Sequence, residues 1–228
     1  MSASPAPDSD KIILALPKGR ILDEVLPILE RAGIRPEDDF FSKHSRKLRF
    51  ETNDAGLDII RVRAFDAATF IAFGAAHLGV VGADVLEEFG YSDLYAPLDL
   101  DLGHCSLWLA VPEEKRADIE AENTGHIRVA TKYPNITRRY YSAKGVQAEC
   151  VKLNGAMEIA PSLGLADRIV DLVSTGGTLR ANKLVQVEKL MDISSRLVVS
   201  RVAFKTRSEE MTRRIDQFRK ALENDAAA

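Results

Sequence analysis

The stretch RIVDLVSTGGTL, residues 168–179, runs through three kinds of local structure in twelve residues. Arg168 to Val173 is an apolar run that reads as a buried strand. Ser174, Thr175, Gly176, Gly177 and Thr178 follow as a turn, and a helix starts near Leu179. Glycines let a backbone approach a ligand closely. Successive backbone N–H groups at a helix start favour an anion, and the hydroxyls of Ser174, Thr175 and Thr178 add donors. Asp171 is of a type that accepts hydrogen bonds from sugar hydroxyls rather than touching phosphate. The same composition also makes an ordinary Ser/Thr-capped turn, so the local pattern leaves both readings open. It is not a Walker A loop, because the Gly-Lys-Ser/Thr ending is missing.

Outward from this stretch the strand–turn–helix order recurs. Ile12 to Leu16 is an apolar run, Pro17-Lys18-Gly19-Arg20 a loop, and Ile21 to Ala32 a helix with Leu22, Val25, Leu26 and Leu29 on one face and Gly33 as its stop. Strands are expected at Leu48–Thr52, Leu57–Val62, His77–Val81, Cys105–Val111, Ile127–Ala130, Gln147–Leu153, Leu184–Asp192 and Arg196–Ala203. Helical segments are expected at Ala64–Gly74, Asp84–Phe89, Glu113–Glu122 and Ile136–Lys144, with a short turn at Ala156–Pro161. A closing helix spans Ser208–Leu222, with Met211, Ile215, Phe218 and Leu222 on one face. This alternation predicts α/β layers with largely parallel sheets.

Lys18 and Arg20 stand where a helix begins, a position at which the helix dipole disfavours cations by roughly 0.3–1 kcal/mol. A bound polyphosphate would reverse that penalty, whereas side chains pointing into water would ignore it. Lys132 and Tyr133 also lie between a strand and a helix, with Arg138 and Arg139 just inside the latter. Arg46 belongs to a third basic cluster, Ser45 to Arg49, which equally suits a solvated strand edge. Arg61 and Arg63 alternate on one strand and suit a solvated face. Asp84 and Glu158 each occupy a strand-to-helix turn, where capping is the default role of a carboxylate. No Gly-x-Ser-x-Gly is present, and neither cysteine has an evident His partner, so a covalent nucleophile is not expected.

The 228 residues suffice for one large domain or two small ones, and 46% hydrophobic with 29% charged residues is ordinary for a soluble protein. A net charge of −3 gives no bulk attraction to nucleic acid or anionic membrane. Four scattered histidines and two cysteines, Cys105 and Cys150, make neither a metal site nor a disulfide framework. The opening MSASPAPDSD reads as a short disordered arm rather than a signal peptide, and the expected compartment is the cytoplasm.

Five segments together resemble the ATP phosphoribosyltransferase family: ALPKGRI (15–21), SRKLRF (45–50), GVVGADVLEE (79–88), RVATKYPNITRRY (128–140) and LNGAMEIAPSLGLADRIVDLVSTGGTLRANKL (153–184). The resemblance implies two α/β lobes around a cleft, similar to periplasmic binding proteins. The first lobe is then residues 1–104 plus 187–228, and the second is residues 105–186. It implies transfer of phosphoribosyl from phosphoribosyl pyrophosphate to N1 of ATP, with Mg²⁺ held mainly by substrate oxygens and no metal motif in the chain. On this reading Ser174, Thr175, Gly176, Gly177 and Thr178 take the 5′-phosphate, and Asp171 and Glu158 the ribose. Lys18, Arg20 and Arg46 stabilise the leaving pyrophosphate, while Asp84, Lys132 and Tyr133 contact ATP. The length resembles the family's short form, which implies a homodimer within a hetero-oligomer containing a regulatory subunit similar to histidyl-tRNA synthetase. A solute-binding module of the same architecture and a phosphoribosyltransferase acting on free bases are the alternatives.

Overall fold

A computed structural model of the chain describes residues 11–118 and 126–223. The expected arm at residues 1–10 lies outside the described residues, as does the second half of the segment Glu113–Glu122. The chain forms two α/β units. The first holds residues up to Leu86, Tyr91–Gly103 and those from Ser194 onward, and the second holds Glu87–Gly90 and His104–Ile193.

The sheet of the first unit contains β1 (Ile12–Pro17), β2 (Arg49–Glu51), β3 (Leu57–Val62), β4 (Leu78–Gly82), β5 (Leu94–Asp99) and β11 (Ser195–Ser200), in the order β2-β3-β1-β4-β11-β5. β1 is buried at all six positions and lies between two parallel neighbours, β3 and β4. That placement explains why it reads as an unbroken apolar run and not as an alternating one. The second unit pairs β6 (Cys105–Pro112), β7 (Ile127–Thr131), β8 (Ala148–Lys152), β9 (Arg168–Val173) and β10 (Leu184–Ile193) in the order β10-β6-β9-β7-β8. Seven helices complete the described chain: α1 (Arg20–Arg31), α2 (Ala64–Ala72), α3 (Ala83–Phe89), α4 (Pro134–Ala143), α5 (Gly177–Ala181), α6 (Arg201–Thr206) and α7 (Ser208–Glu223).

Four features differ from the sequence reading. The sheets are mixed, because β2, β5, β6, β10 and β11 enter antiparallel pairings while β1, β3 and β4, and β7, β8 and β9, supply the parallel ones. The apolar run expected to stay extended to Ala203 turns into α6 after Ser200, where the last partner on β5, Leu94, is used up. The segment from Glu113 opens as a 3-10 helix, Glu113–Asp118, rather than an α-helix. Residues 187–193, assigned above to the first lobe, group with the second unit, because β10 pairs with β6 out to Ile193↔Cys105.

The core of the first unit is closed by α7. Its Met211, Ile215, Phe218 and Ala221 are buried with Val25, Ile28 and Leu29 of α1. Fully burying a side chain such as Phe218 contributes on the order of 1.5–3 kcal/mol. Arg214 on the same helix is 1% exposed and pairs with Asp54 at 2.8 Å, so this buried cation is compensated. Arg31 Nε donates to Ala221 O at 2.9 Å, which ties the last turn of α1 to α7.

His77 joins β1 to the start of β4. Its N–H donates to Ile13 O at 2.9 Å and its Nδ1 accepts the Ile13 N–H at 3.0 Å. An accepting Nδ1 carries no proton. Burial first, and the Arg207 charge second, hold this imidazole below its usual pKa against the opposing charge of Glu210. A depressed histidine pKa stabilises the fold above the unfolded value of 6.5, and the contribution is lost as pH falls below it. The thermal midpoint should therefore drop between pH 7.5 and 5.5. In His77→Gln, which accepts the same bond without titrating, that part of the slope should vanish; an unchanged slope would remove His77 as its source.

Candidate active site

Parallel pairing places the strand-to-helix loops of each unit on one edge of its sheet, outside the carboxyl ends of the strands, where ligands of open α/β sheets bind. In the first unit β1 delivers Lys18 there, and its N–H donates to Val62 O at the end of β3 at 2.8 Å. Gly19 then adopts φ 89° and ψ −153° as the N-cap of α1. That region is essentially closed to residues with a side chain. The result is a sharp entry into a twelve-residue helix whose N-cap residue has no side chain with which to cap it. A cationic loop at a helix start favours an anion. β2 runs antiparallel to β3, and Arg61 N–H donates to Leu48 O at 2.9 Å, so the loop carrying Arg46 reaches the same edge. β4 ends there as well and leads into Asp84.

The basic residues on this edge divide by partner. Lys47 pairs with Glu37, and Arg49 pairs at 2.7 Å with the buried Asp58. Arg61 donates to Phe40 O at 2.8 Å and lies over the rings of Phe40 and Phe50, so it is not on a solvated face. Arg20 pairs with Glu24 at 3.3 Å. Lys18 and Arg46 are exposed and make no ion pair among the described residues. Unneutralised cations of this kind can receive a polyanion without giving up an internal partner.

In the second unit three loops leave the carboxyl ends of the parallel strands β7, β8 and β9. They hold Lys132 and Tyr133, then Leu153 to Glu158, then Ser174 to Gly176. Leu153 N–H donates to Thr131 O at 3.1 Å, joining the first two. Glu158 sits on a 3-10 turn entered through Ala156, an alanine in the left-handed region at φ 56°. Such a conformation costs of order 1–3 kcal/mol for a residue with a Cβ, and such strain clusters at functional sites. Gly176 is left-handed too, at φ 71°, and is the N-cap of α5, with no side chain of its own to cap it. Ser174, Thr175 and Thr178 are exposed around it. Asp171 is partly buried, and that burial pushes its carboxyl up to about 6; the charge of Glu158 pushes the same way, while the Leu172 N–H and Lys132 oppose it. Asp171, Glu158 and Lys132 are thus within electrostatic reach of one another.

Two expected ATP contacts are buried residues. Tyr133 is 1% exposed, so its ring offers no surface to a nucleotide. It belongs to the turn: its N–H donates to Thr131 Oγ1 at 2.9 Å, and that buried hydroxyl donates to Val170 O at 2.7 Å. Asp84 is only 6% exposed, in the first turn of α3. The start of α4 already holds an anion, because Glu88 accepts from the N–H groups of Asn135 and Ile136 at 3.0 Å each.

Residues 63–224 match the family model described as HisG, ATP phosphoribosyltransferase. The chain belongs to the ATP phosphoribosyltransferase family. It is 60% identical to the ATP phosphoribosyltransferase of Rhodospirillum rubrum over 219 residues, 96% of each chain. It is also similar to a solved ATP phosphoribosyl transferase (HisG:HisZ) complex from Thermotoga maritima, with a TM-score of 0.78, 31% identity, and coverage of 93% of this chain and 99% of that one. The alkanesulfonate-binding protein SsuA of Xanthomonas axonopodis matches at 13% identity and a TM-score of 0.53, covering 97% of this chain and 77% of that one, and shows the shared fold alone.

For a family member, two residues stand out that sequence reasoning passed over. Arg180 lies four residues after Gly176, one helical turn on, and a Cβ placed on Gly176 would stand 3.1 Å from its Nη1. Its guanidinium therefore lies against the turn that the family resemblance assigns to phosphate. That spacing was readable from the sequence. Glu88 was not, since nothing local links it to Asn135, 47 positions away. The strained loop at Gly19 is directly testable. Gly19→Ala should cost about 1–3 kcal/mol in urea unfolding. A loss under about 0.5 kcal/mol, the level of an ordinary surface change, would mean the loop relaxes without it.

Proposed function

We propose that the chain transfers the phosphoribosyl group of phosphoribosyl pyrophosphate to N1 of the ATP adenine, releasing pyrophosphate, as the first step of histidine biosynthesis. The observation that carries this reading is the carboxyl edge of the second unit. A left-handed Ser/Thr/Gly turn there follows a strand bearing Asp171, with Glu158 close enough to perturb it. Similarity to ATP phosphoribosyltransferases over nearly the whole chain supports it.

In this mechanism Ser174 to Thr178 hold the 5′-phosphate through backbone N–H groups and hydroxyls, with Arg180 against the same turn. α5 has only five residues, so its dipole is minor and the turn's own donors do the binding. Asp171 and Glu158 accept from ribose hydroxyls. The bond from the anomeric carbon to the pyrophosphate oxygen breaks and the bond to adenine N1 forms, the carbon passing through a cationic state. Lys18, Arg20 and Arg46 stabilise the charge that grows on pyrophosphate, by placement and electrostatics. Lys132 and Asp84 serve the ATP, with Tyr133 shaping the loop. Mg²⁺ would be held mainly by substrate oxygens and water, as the family resemblance implies, and would neutralise charge on the pyrophosphate.

The active form is a homodimer within a hetero-oligomer containing a histidyl-tRNA-synthetase-like regulatory subunit, a reading supported by the HisG:HisZ composition of the Thermotoga maritima complex. The compartment is the cytoplasm, in keeping with two free cysteines.

Mixing the chain with ATP, Mg²⁺ and phosphoribosyl pyrophosphate should generate the absorbance of N1-substituted adenine. No signal, with or without the regulatory partner, would sink the assignment. Arg20→Ala should lower kcat about 100-fold with little change in KM, the signature of a group acting on developing charge. Thr178→Val should instead weaken phosphoribosyl pyrophosphate binding in calorimetry, and unchanged affinity would remove the phosphate turn. KM for phosphoribosyl pyrophosphate should rise as pH falls through about 6, where Asp171 gains its proton and becomes a poorer acceptor.

A further inference from the structure

Glu24 stands one helical turn after Arg20 on α1, and both of its carboxylate oxygens are engaged. Oε1 faces Arg20 Nε at 3.3 Å. Oε2 accepts the N–H of Gly103 at 2.6 Å, across 79 positions of sequence. An exposed i,i+4 ion pair alone contributes only about 0.3–0.5 kcal/mol and orients little, because both side chains are free to move. Here the carboxylate is fixed at one oxygen by a backbone group, so the other oxygen has a set position from which to hold the guanidinium.

The backbone group in question is not an ordinary one. Gly103 is the last residue of the first unit before the chain passes into the second. It has φ +70°, and a Cβ there would collide with Ile21 Cδ1 and stand 2.8 Å from Ser195 Oγ. Ser195 lies where the chain re-enters the first unit. The outgoing and returning segments are laced together: Ser195 N–H donates to Leu102 O at 2.8 Å, and Leu100 N–H donates to Ser195 O at 2.9 Å. The first turn of α1, the outgoing segment and the returning segment therefore meet at one point, and Glu24 joins α1 to the outgoing segment there.

We propose that Glu24 is a positioning residue for the reaction, orienting Arg20 from the connection through which the chain leaves the first unit. The proposal rests on the role assigned to Arg20. It separates two effects of the same carboxylate. The charge acts on Arg20 and is felt in turnover, while the acceptor oxygen acts on Gly103 and is felt in stability.

The test uses the full chain in its active assembly, with steady-state kinetics and thermal unfolding of Glu24→Gln, Glu24→Ala, Arg20→Ala and the double variant Arg20→Ala/Glu24→Ala. Glutamine keeps an oxygen for Gly103 and loses the charge. Both Glu24 variants should lower kcat about tenfold with KM for each substrate within about twofold, as misorientation of a charge-stabilising group does. Only Glu24→Ala should also lower the thermal midpoint. In the Arg20→Ala background Glu24→Ala should cost less than about twofold further, because the group it positions is gone. Wild-type kcat in Glu24→Gln would overturn the proposal. So would a slow Arg20→Ala chain in which Glu24→Ala exacts its full factor again. Full turnover in Arg20→Ala would instead overturn the role of Arg20 itself, and this inference with it.

Discussion

Parallel strands cannot be joined by tight turns, so the pairing of β1 with β3 and β4, and of β7 with β8 and β9, forces each connection between them to cross back over the sheet. Each crossover starts at a carboxyl end. The loops that begin the crossovers are therefore collected on one edge of each sheet, whatever their residues are. That constraint gathers Lys18 and Asp84 in one unit, where the antiparallel β2 brings Arg46 to the same edge, and Lys132, Glu158 and the 174–178 turn in the other. The side chains need only suit the edge they are given.

Charge then decides which members of each edge are available. The first unit is rich in arginine and lysine, but most of that charge is spent internally. Arg49 neutralises the buried Asp58, Arg61 covers two phenylalanine rings, and Lys47 answers Glu37. The cations left without an internal partner are a small subset of the cluster. In the second unit the same logic works in reverse, since Glu88 fills the start of α4 and removes it as a place for a substrate anion. A strand, a basic loop and a helix are therefore not by themselves an anion site, since a carboxylate of the protein can fill the helix start.

The order of strands and helices was legible because apolar periodicity is local. So was the 168–179 segment, whose strand, turn and helix appear where expected, and the resemblance of five segments to one family. What could not be read depends on partners remote in sequence. The direction of β5, β6, β10 and β11 depends on where the chain leaves and re-enters the first unit. The turn into α6 after Ser200 depends on β5 running out of residues. The burial of Tyr133 depends on Thr131 and Val170, and the cap on α4 depends on a residue 47 positions away. A pattern of residue types carries none of these distances.

The interleaving of the two units also sets an order on synthesis. Residues 104–193 are nearly the whole of the second unit and are contiguous, so that unit has its sheet once β10 has been made. The first unit does not. Its β11 lies between β4 and β5, and α7 closes its core, yet both are the last elements translated. Throughout the synthesis of the insert, β4 and β5 each lack their common neighbour and present open edges, a recognised hazard for association between nascent chains. Pro97 in β5 lacks a backbone N–H and makes that edge a poorer template while it waits. The chain is thus a protein whose first-made unit is completed last.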